Sequence, residues 1–173
     1  KSFVDHAKNA AAEIPEIAND KQSSLIFLPL AHILARYVSV LCLHSGIRVG
    51  HLSDSLQVAQ VLPAFKPTFI LAVPRVFEKI YNGAELRAET GGKGKIFRSA
   101  AEVAIDYSKA LDSKSGPSLG LSVKHKLFDR LVYGKLRAAM GGNVKYAISG
   151  GAPLGARLGH FYRGIGLIVL EGY

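Results

Sequence analysis

The chain is poor in cysteine and in acidic residues, and it contains no long uninterrupted apolar run. A single cysteine, Cys42, excludes a disulfide within the chain and fits a reducing compartment. The stretch 25–47 has the length of a membrane span, but Pro29, His32, Arg36 and His44 interrupt it. An arginine in mid-span is costly in lipid, so a strand followed by a helix of a soluble core is expected there. Nothing near Lys1 has the cationic, apolar, small-residue order of a secretory leader, and a cytoplasmic location is expected, with membrane association through peripheral contact left open. The six histidines, at 6, 32, 44, 51, 125 and 160, show no paired metal-ligand spacing. A G-x-S-x-G elbow is missing, which leaves a hydrolase triad without its nucleophile context. A phosphate-binding G-x-x-x-x-G-K-[ST] loop is missing too, and Gly91-Gly92-Lys93-Gly94 has no strand before it. There is no internal repeat and no low-complexity segment.

What remains is globular in character. The 173 residues are 49% hydrophobic and 20% charged, enough for one domain with an ordinary core. The chain starts at Lys1 without a methionine and stops at Tyr173 directly after an apolar run, so residues 1–173 are expected to be a piece of a longer protein. Twenty-two basic residues against 13 acidic ones give a net charge of +9. That excess suits nucleic acid, an anionic membrane surface or a phosphorylated small molecule. The basic residues gather at Arg87, Lys93, Lys95 and Arg98, and again at Lys124, Lys126, Arg130, Lys135 and Arg137. Neither cluster carries interleaved aromatics or a DNA-binding motif, so nucleic acid is not expected as a partner. A solvated helical face accounts for both.

Hydrophobic periodicity sets out a succession of helices and strands. Ser2 and Asp5 have capping-box spacing ahead of a helix with Phe3, Ala7, Ala10 and Ile14 on one face, ended by Pro15. Leu25 to Leu28 is an unbroken apolar run, as for a strand buried on both faces. Leu34, Tyr37, Val38 and Leu41 form a helical stripe that Gly46 can close. A short strand at Ile47 to Val49 precedes a helix with Leu56, Ala59 and Leu62, which Pro63 should break. Thr68 to Val73 is a strand between prolines. Helices follow with Val76, Ile80 and Ala84, then with Ile96, Ala100, Val103, Tyr107 and Leu111, then a basic amphipathic one reaching about Met140. Val144 to Ile148 is a strand, Ala156 to Arg163 a short helix, and Leu167 to Leu170 a last strand. This order predicts an α/β fold, a mostly parallel sheet flanked by helices.

In such sheets ligands bind beyond the carboxyl ends of the strands, which directs attention to four places. His32 follows Pro29 with Arg36 one turn later; it can face a ligand or serve as a core or capping histidine. Arg75 follows Pro74 and is expected in solvent or in a structural ion pair. Ser149-Gly150-Gly151-Ala152-Pro153-Leu154 permits positive φ and a flat wall before a helix N-terminus, or is a tight turn needing glycine for geometry alone. Glu171-Gly172-Tyr173 sets an aromatic ring and a glycine at the end of the last strand.

Together these segments resemble one family. Phe27-Leu28-Pro29-Leu30-Ala31-His32 is similar to a motif of the long-chain acyl-CoA ligases of the adenylate-forming superfamily. Ala147 to Leu154 resembles that superfamily's adenine-binding loop, and Glu171-Gly172-Tyr173 the opening of its next motif. Pro67-Thr68 through Pro74-Arg75-Val76-Phe77-Glu78 resembles a further long-chain stretch. The motifs stand in family order and cover essentially the whole chain, as a partial adenylate-forming N-terminal domain.

The resemblance implies a parent that activates a long-chain fatty acid with ATP and Mg to an acyl-adenylate, then passes the acyl group to coenzyme A. It implies an adenine pocket lined by Gly151, Ala152 and Pro153, with Gly172 approaching the base, Tyr173 stacked on it and Glu171 a further member of the nucleotide site. His32 would lie near the carboxylate and acyl tunnel. The family's phosphate loop with its lysine, its phosphate-binding Thr, its Mg-supporting Glu, its ribose-binding Asp and its adenylation Lys are not among these residues. The chain alone is therefore expected to hold no catalytic residue and to be inactive. A second reading is a non-catalytic lipid or anionic-membrane binding module built on the basic helix, whose apolar face carries Val123, Leu127, Phe128 and Leu131; a helix covering a sheet shows the same pattern. Self-association of the exposed segment is also expected.

Overall fold

A computed structural model of the chain describes residues 2–172. Strands β1 (Ser23–Ile26), β2 (Arg48–His51), β3 (Phe69–Ala72), β4 (Tyr146–Gly150) and β5 (Ile168–Gly172) form one sheet in the order β2-β1-β3-β4-β5. Every adjacent pair is parallel. The order reverses between β1 and β3, which marks the topological switch point of a doubly wound fold. Every residue of β1 and of β3 is buried, although β1 opens on two serines and ends at Ile26, so Phe27 and Leu28 of the expected apolar run lie past the strand.

Helices α1 (Ser2–Glu13) and α2 (Ile33–His44) cover one face over Ile17, Val38, Phe69 and Leu71. The other face packs against α3 (Val58–Phe65), α4 (Pro74–Thr90), α5 (Gly94–Leu111), α6 (Leu119–Phe128), α7 (Gly134–Ala139) and α8 (Ala156–Gly164). Helix α2 ends as predicted. Gly46 has φ +68°, and the Ile47 amide donates to the Cys42 carbonyl oxygen, the long bond of a Schellman close.

Three expectations need correction. Pro63 does not break α3: the helix runs two residues past it and ends at Lys66, which adopts a left-handed φ of 54°. Pro63 and Ala59, whose carbonyl loses its partner, both face solvent, where water can satisfy the freed oxygen. Helix α5 is rotated from the predicted stripe, burying Phe97, Ala100, Ala101, Ala104 and Ser108 and exposing Ile96 and Leu111. Small residues face inward because α8 comes very close: a Cβ on Gly164 would lie 2.0 Å from the Ala104 carbonyl oxygen. The basic helix is not continuous either. A π-turn at Asp129–Tyr133 separates α6 from α7 and turns Tyr133 inward, where its hydroxyl donates to the Ala100 carbonyl oxygen at 2.6 Å.

The interior also fixes several ionisable groups. Burial pushes the Tyr133 and Tyr162 phenols well above their ordinary range, and the Tyr162 hydroxyl donates to the Phe77 carbonyl oxygen at 2.7 Å. Burial likewise pushes the Cys42 thiol up to about 11. Among the described residues no helix is long and apolar enough to cross a membrane, and 25–47 divides into β1 and α2 as expected.

Candidate functional site

The carboxyl ends of β4 and β5 meet in register, Ser149 beside Glu171 and Gly150 beside Gly172. Beyond β4 the chain turns at Gly151, whose φ of +85° disfavours any side chain. Gly151, Ala152 and Pro153 are exposed and Leu154 is buried. Gly155 then begins α8 without a side-chain cap, so the first-turn amides of this helix are not satisfied by a capping group.

A side chain from the neighbouring strand holds this loop. Glu171 Oε1 accepts a hydrogen bond from the Leu154 amide at 3.0 Å. Beneath the loop, a Cβ on Gly150 would sit 2.5 Å from Leu34 Cδ2 and 2.9 Å from the Gly172 carbonyl oxygen, so the first turn of α2 packs directly under the β4–β5 junction. A Cβ on Gly151 or on Gly172 would touch nothing within 4 Å. These two glycines front open space, whereas Gly150 fills a tight joint. Four predicted residues plus Glu171 are thus collected on one rim: Gly151, Ala152, Pro153 and Gly172. Tyr173 lies outside the described residues.

His32 sits at the N-cap position of α2, two residues before Leu34, with an extended backbone (φ −76°, ψ 132°) and no side-chain capping bond. Its ring is exposed, so it is neither a core histidine nor a capping one. It lies at the end of β1, beside the switch point. Arg36 joins it through the backbone, its amide donating to the His32 carbonyl oxygen at 3.2 Å, while its Nε donates to the Leu30 carbonyl oxygen at 3.2 Å and pins the loop between β1 and α2. Arg75 pairs with Glu78 at 3.4 Å on the surface, as expected.

Two features escaped the sequence reading. One is a cleft of about 290 Å³ at the ends of β1 and β2, lined by Phe27, Leu28, Pro29, Leu30, His51 and Leu52 among others. The nucleotide-loop residues do not line it. The other is Arg157, in the first turn of α8, which donates to Tyr81 Oη at 2.8 Å with its guanidinium 4.8 Å from the ring centroid. Spacing alone gives no hint of this pair, since Tyr81 lies 76 residues away on α4. Among the described residues there is no cluster of three His, Cys, Asp or Glu side chains that could hold a metal ion.

A doubly wound parallel sheet with a glycine loop and an uncapped helix start at its carboxyl edge defines a crevice-binding α/β domain of the nucleotide-binding kind. The profile of the AMP-binding enzyme family matches residues 2–173, and the chain belongs to that family. Long-chain-fatty-acid–CoA ligase FadD15 of Mycobacterium tuberculosis is 54% identical over 172 residues, covering 99% of this chain and 28% of its own length. Long chain acyl-CoA synthetase 3 of Arabidopsis thaliana is 33% identical over 175 residues, covering 99% of this chain and 25% of its own length. The chain thus spans about a quarter of the length of these curated relatives. The adenylation domain of a carboxylic acid reductase from Segniliparus rugosus, solved with AMP and a co-purified carboxylic acid, superposes with a TM-score of 0.57 at 20% identity, over 87% of this chain and 20% of that one. The N-terminal domain of FACL13 from M. tuberculosis gives 0.54 at 16% identity, over 96% and 30%. At these identities the likeness is one of fold, and the fold is that of adenylation domains.

Proposed function

We propose that this segment is one wall of the active site of a long-chain fatty-acid–CoA ligase. The parent activates a fatty acid with ATP to an acyl-adenylate and transfers the acyl group to coenzyme A. The observation that carries this reading is the joint rim of Gly151-Ala152-Pro153 and Glu171-Gly172, where open space fronts two glycines and Glu171 holds the loop through Leu154. A purine suits that rim: its faces need flat apolar walls and its edge needs backbone hydrogen bonds. Tyr173 is assigned the stacking role, and His32, at the switch point, the acid and acyl end. Identity of 54% to a named ligase supports the substrate class.

Mg acts in this reading through groups outside the segment, and none of the catalytic residues belongs to residues 1–173. The enzyme is assigned to the cytoplasm, without a nucleic-acid partner. The relatives are ligases, and nothing in them favours a non-catalytic module. Among the described residues no strand lies beside the outer edge of β5, which supports self-association of the isolated chain.

The test is palmitate-dependent ATP–pyrophosphate exchange and acyl-CoA formation by the full-length protein. Both activities are expected, and their absence with every long-chain acid tried would overturn the reading. The isolated 173-residue chain is expected to form no palmitoyl hydroxamate with ATP and hydroxylamine.

A further inference from the structure

The start of helix α8 runs against local preference. Its N-cap is Gly155, with φ +83° and no capping side chain. A cation, Arg157, stands in the first turn, the end of a helix where the dipole favours acids. Ala156 and Arg157 are both exposed, so burial does not hold this turn either. The far end is fixed, because Gly164 packs onto Ala104 of α5 with no room for a Cβ. A residue that breaks a local rule in this way needs a tertiary reason.

The reason is an aromatic seat on α4. Arg157 Nη2 donates to Tyr81 Oη at 2.8 Å, and the guanidinium carbon lies 4.8 Å from the ring centroid. Phe161, one turn further along the same face of α8, meets that ring edge-on with centroids 4.8 Å apart. Phe97 of α5 meets it at 5.4 Å. Tyr81 is only 4% exposed, so three helices clamp the ring that Arg157 grips. Among the described residues Arg157 makes no ion pair with a carboxylate.

We propose that Arg157 is a positioning residue for the nucleotide wall. Through Tyr81 it fixes the first turn of α8, and with it the loop from Gly151 to Gly155. Only Gly155 and Ala156 separate it from Leu154, which Glu171 holds from the β5 side. The loop is thereby pinned from two sides, by a carboxylate on one strand and by a guanidinium against α4. Without Arg157 an uncapped turn beginning at a positive-φ glycine is free to fray, and the exposed face of Gly151, Ala152 and Pro153 loses its fixed place. The inference rests on the ligase reading given above, and it adds a residue that touches neither substrate nor reacting atoms.

The experiment measures acyl-CoA formation by the full-length protein, with ATP and palmitate varied separately, beside calorimetric titration with adenosine. Arg157→Met keeps a long helix-forming side chain and loses the donor and the charge. It should raise the KM for ATP about five- to ten-fold and weaken adenosine by a like factor. The value of kcat should stay within about two-fold and the KM for palmitate should not move, the signature of binding lost equally in ground and transition states. Tyr81→Phe keeps the ring and removes the acceptor, so its effect should be smaller, about three-fold. The double variant should be no worse than Arg157→Met alone, because both changes cut one contact. Arg157→Lys, whose ammonium can still reach the hydroxyl, should recover part of the affinity. An unchanged KM for ATP in Arg157→Met overturns the proposal. So does full recovery by lysine with Tyr81→Phe silent, since Arg157 would then act on the ligand by charge alone. A rise shared equally by palmitate, with a lower melting point, shows a general brace and overturns it too. A wild type that forms no acyl-CoA defeats the ligase reading, and the adenosine titration then judges the positioning by itself.

Discussion

Gly150 is the joint on which the proposed rim depends, and substituting alanine tests it. Its φ lies outside the left-handed range, so the argument is one of space alone. The added Cβ would meet Leu34 Cδ2 at 2.5 Å and the Gly172 carbonyl oxygen at 2.9 Å, where ordinary contact begins at 3.4 Å. The leucine can swing away at the cost of an off-rotamer torsion, about 1 kcal/mol. The carbonyl belongs to the backbone of β5 and can retreat only by about half an ångström of strand movement, which disturbs the Gly150–Gly172 pairing. Together these put the cost of Gly150→Ala at about 2 kcal/mol, or a fall of about 1 M in a urea midpoint followed by circular dichroism. Displacing β5 also carries Glu171 away from Leu154, so affinity for ATP, measured by calorimetric titration of the full-length protein, should drop about ten-fold. The Gly150→Ala/Leu34→Ala double variant separates the two contacts. It should recover part of the stability by removing the leucine clash, but not the affinity, because the carbonyl contact persists. A Gly150→Ala protein with an unchanged midpoint and unchanged ATP affinity would refute the packing argument.

Three further outcomes follow from the same structure. Gly164→Ala drives a Cβ to 2.0 Å from the Ala104 carbonyl oxygen, backbone against backbone, and should cost more than the swap at Gly150, about 3 kcal/mol or above; soluble, fully folded protein with an unshifted melting point would contradict it. Gly151→Ala meets no neighbour within 4 Å but must hold φ near +85°, so a loss of about 1 kcal/mol is expected from backbone strain, with Gly151→Asn milder. For Cys42, burial raises the thiol from 9.0 to about 11, so between those pH values the folded state keeps a proton that the unfolded state has released. Stability is therefore full below pH 9 and falls by about 3 kcal/mol as pH climbs to 11; Cys42→Ala should flatten that part of a pH-dependent urea titration, and a wild-type curve already flat there would refute the assignment.

The strands were legible because their composition is local. The run between Pro67 and Pro74 could be read as a doubly buried strand and is one, whereas of the run before Pro29 only Leu25 and Ile26 belong to β1, which opens on two buried serines. Where tertiary contact decides, sequence period misled. The stripe from Ile96 to Leu111 is a sound helical period, but α5 fully buries only Ala100 of it and otherwise presents Phe97, Ala104 and Ser108, because α8 approaches through Gly164 and needs small neighbours. The apolar face of α6 failed for the opposite reason: its period is real, and that face points outward. The site divided in the same way. Gly151 to Pro153 and Glu171-Gly172 were visible as strand ends. Their adjacency depends on β4 lying beside β5, and no local pattern carries strand order. Arg157 on Tyr81 was invisible for the same reason.

Glu171 bears on which part of a nucleotide the proposed rim would take. Stiffening the loop with a capping side chain inside α8 would occupy the first-turn amides. Gly155 provides none, and Glu171 instead holds Leu154, the residue just ahead of the cap, from the adjacent strand. The helix start stays open while the loop is fixed. In the proposed reading the same carboxylate disfavours a phosphate beside it, which assigns the neutral base of ATP, and not its triphosphate, to this rim. Glu171→Gln separates the two placements, since its amide oxygen can still accept from Leu154 while the charge is gone. With the base at the rim, affinities for adenosine and ATP should change by the same factor, within about two-fold. If phosphates lay here, removing the negative charge would strengthen ATP alone, by about five-fold or more at this short range. Parallel calorimetric titrations of both ligands into the full-length protein decide it, and a selective gain for ATP would move the adenine away from Gly151 and Gly172.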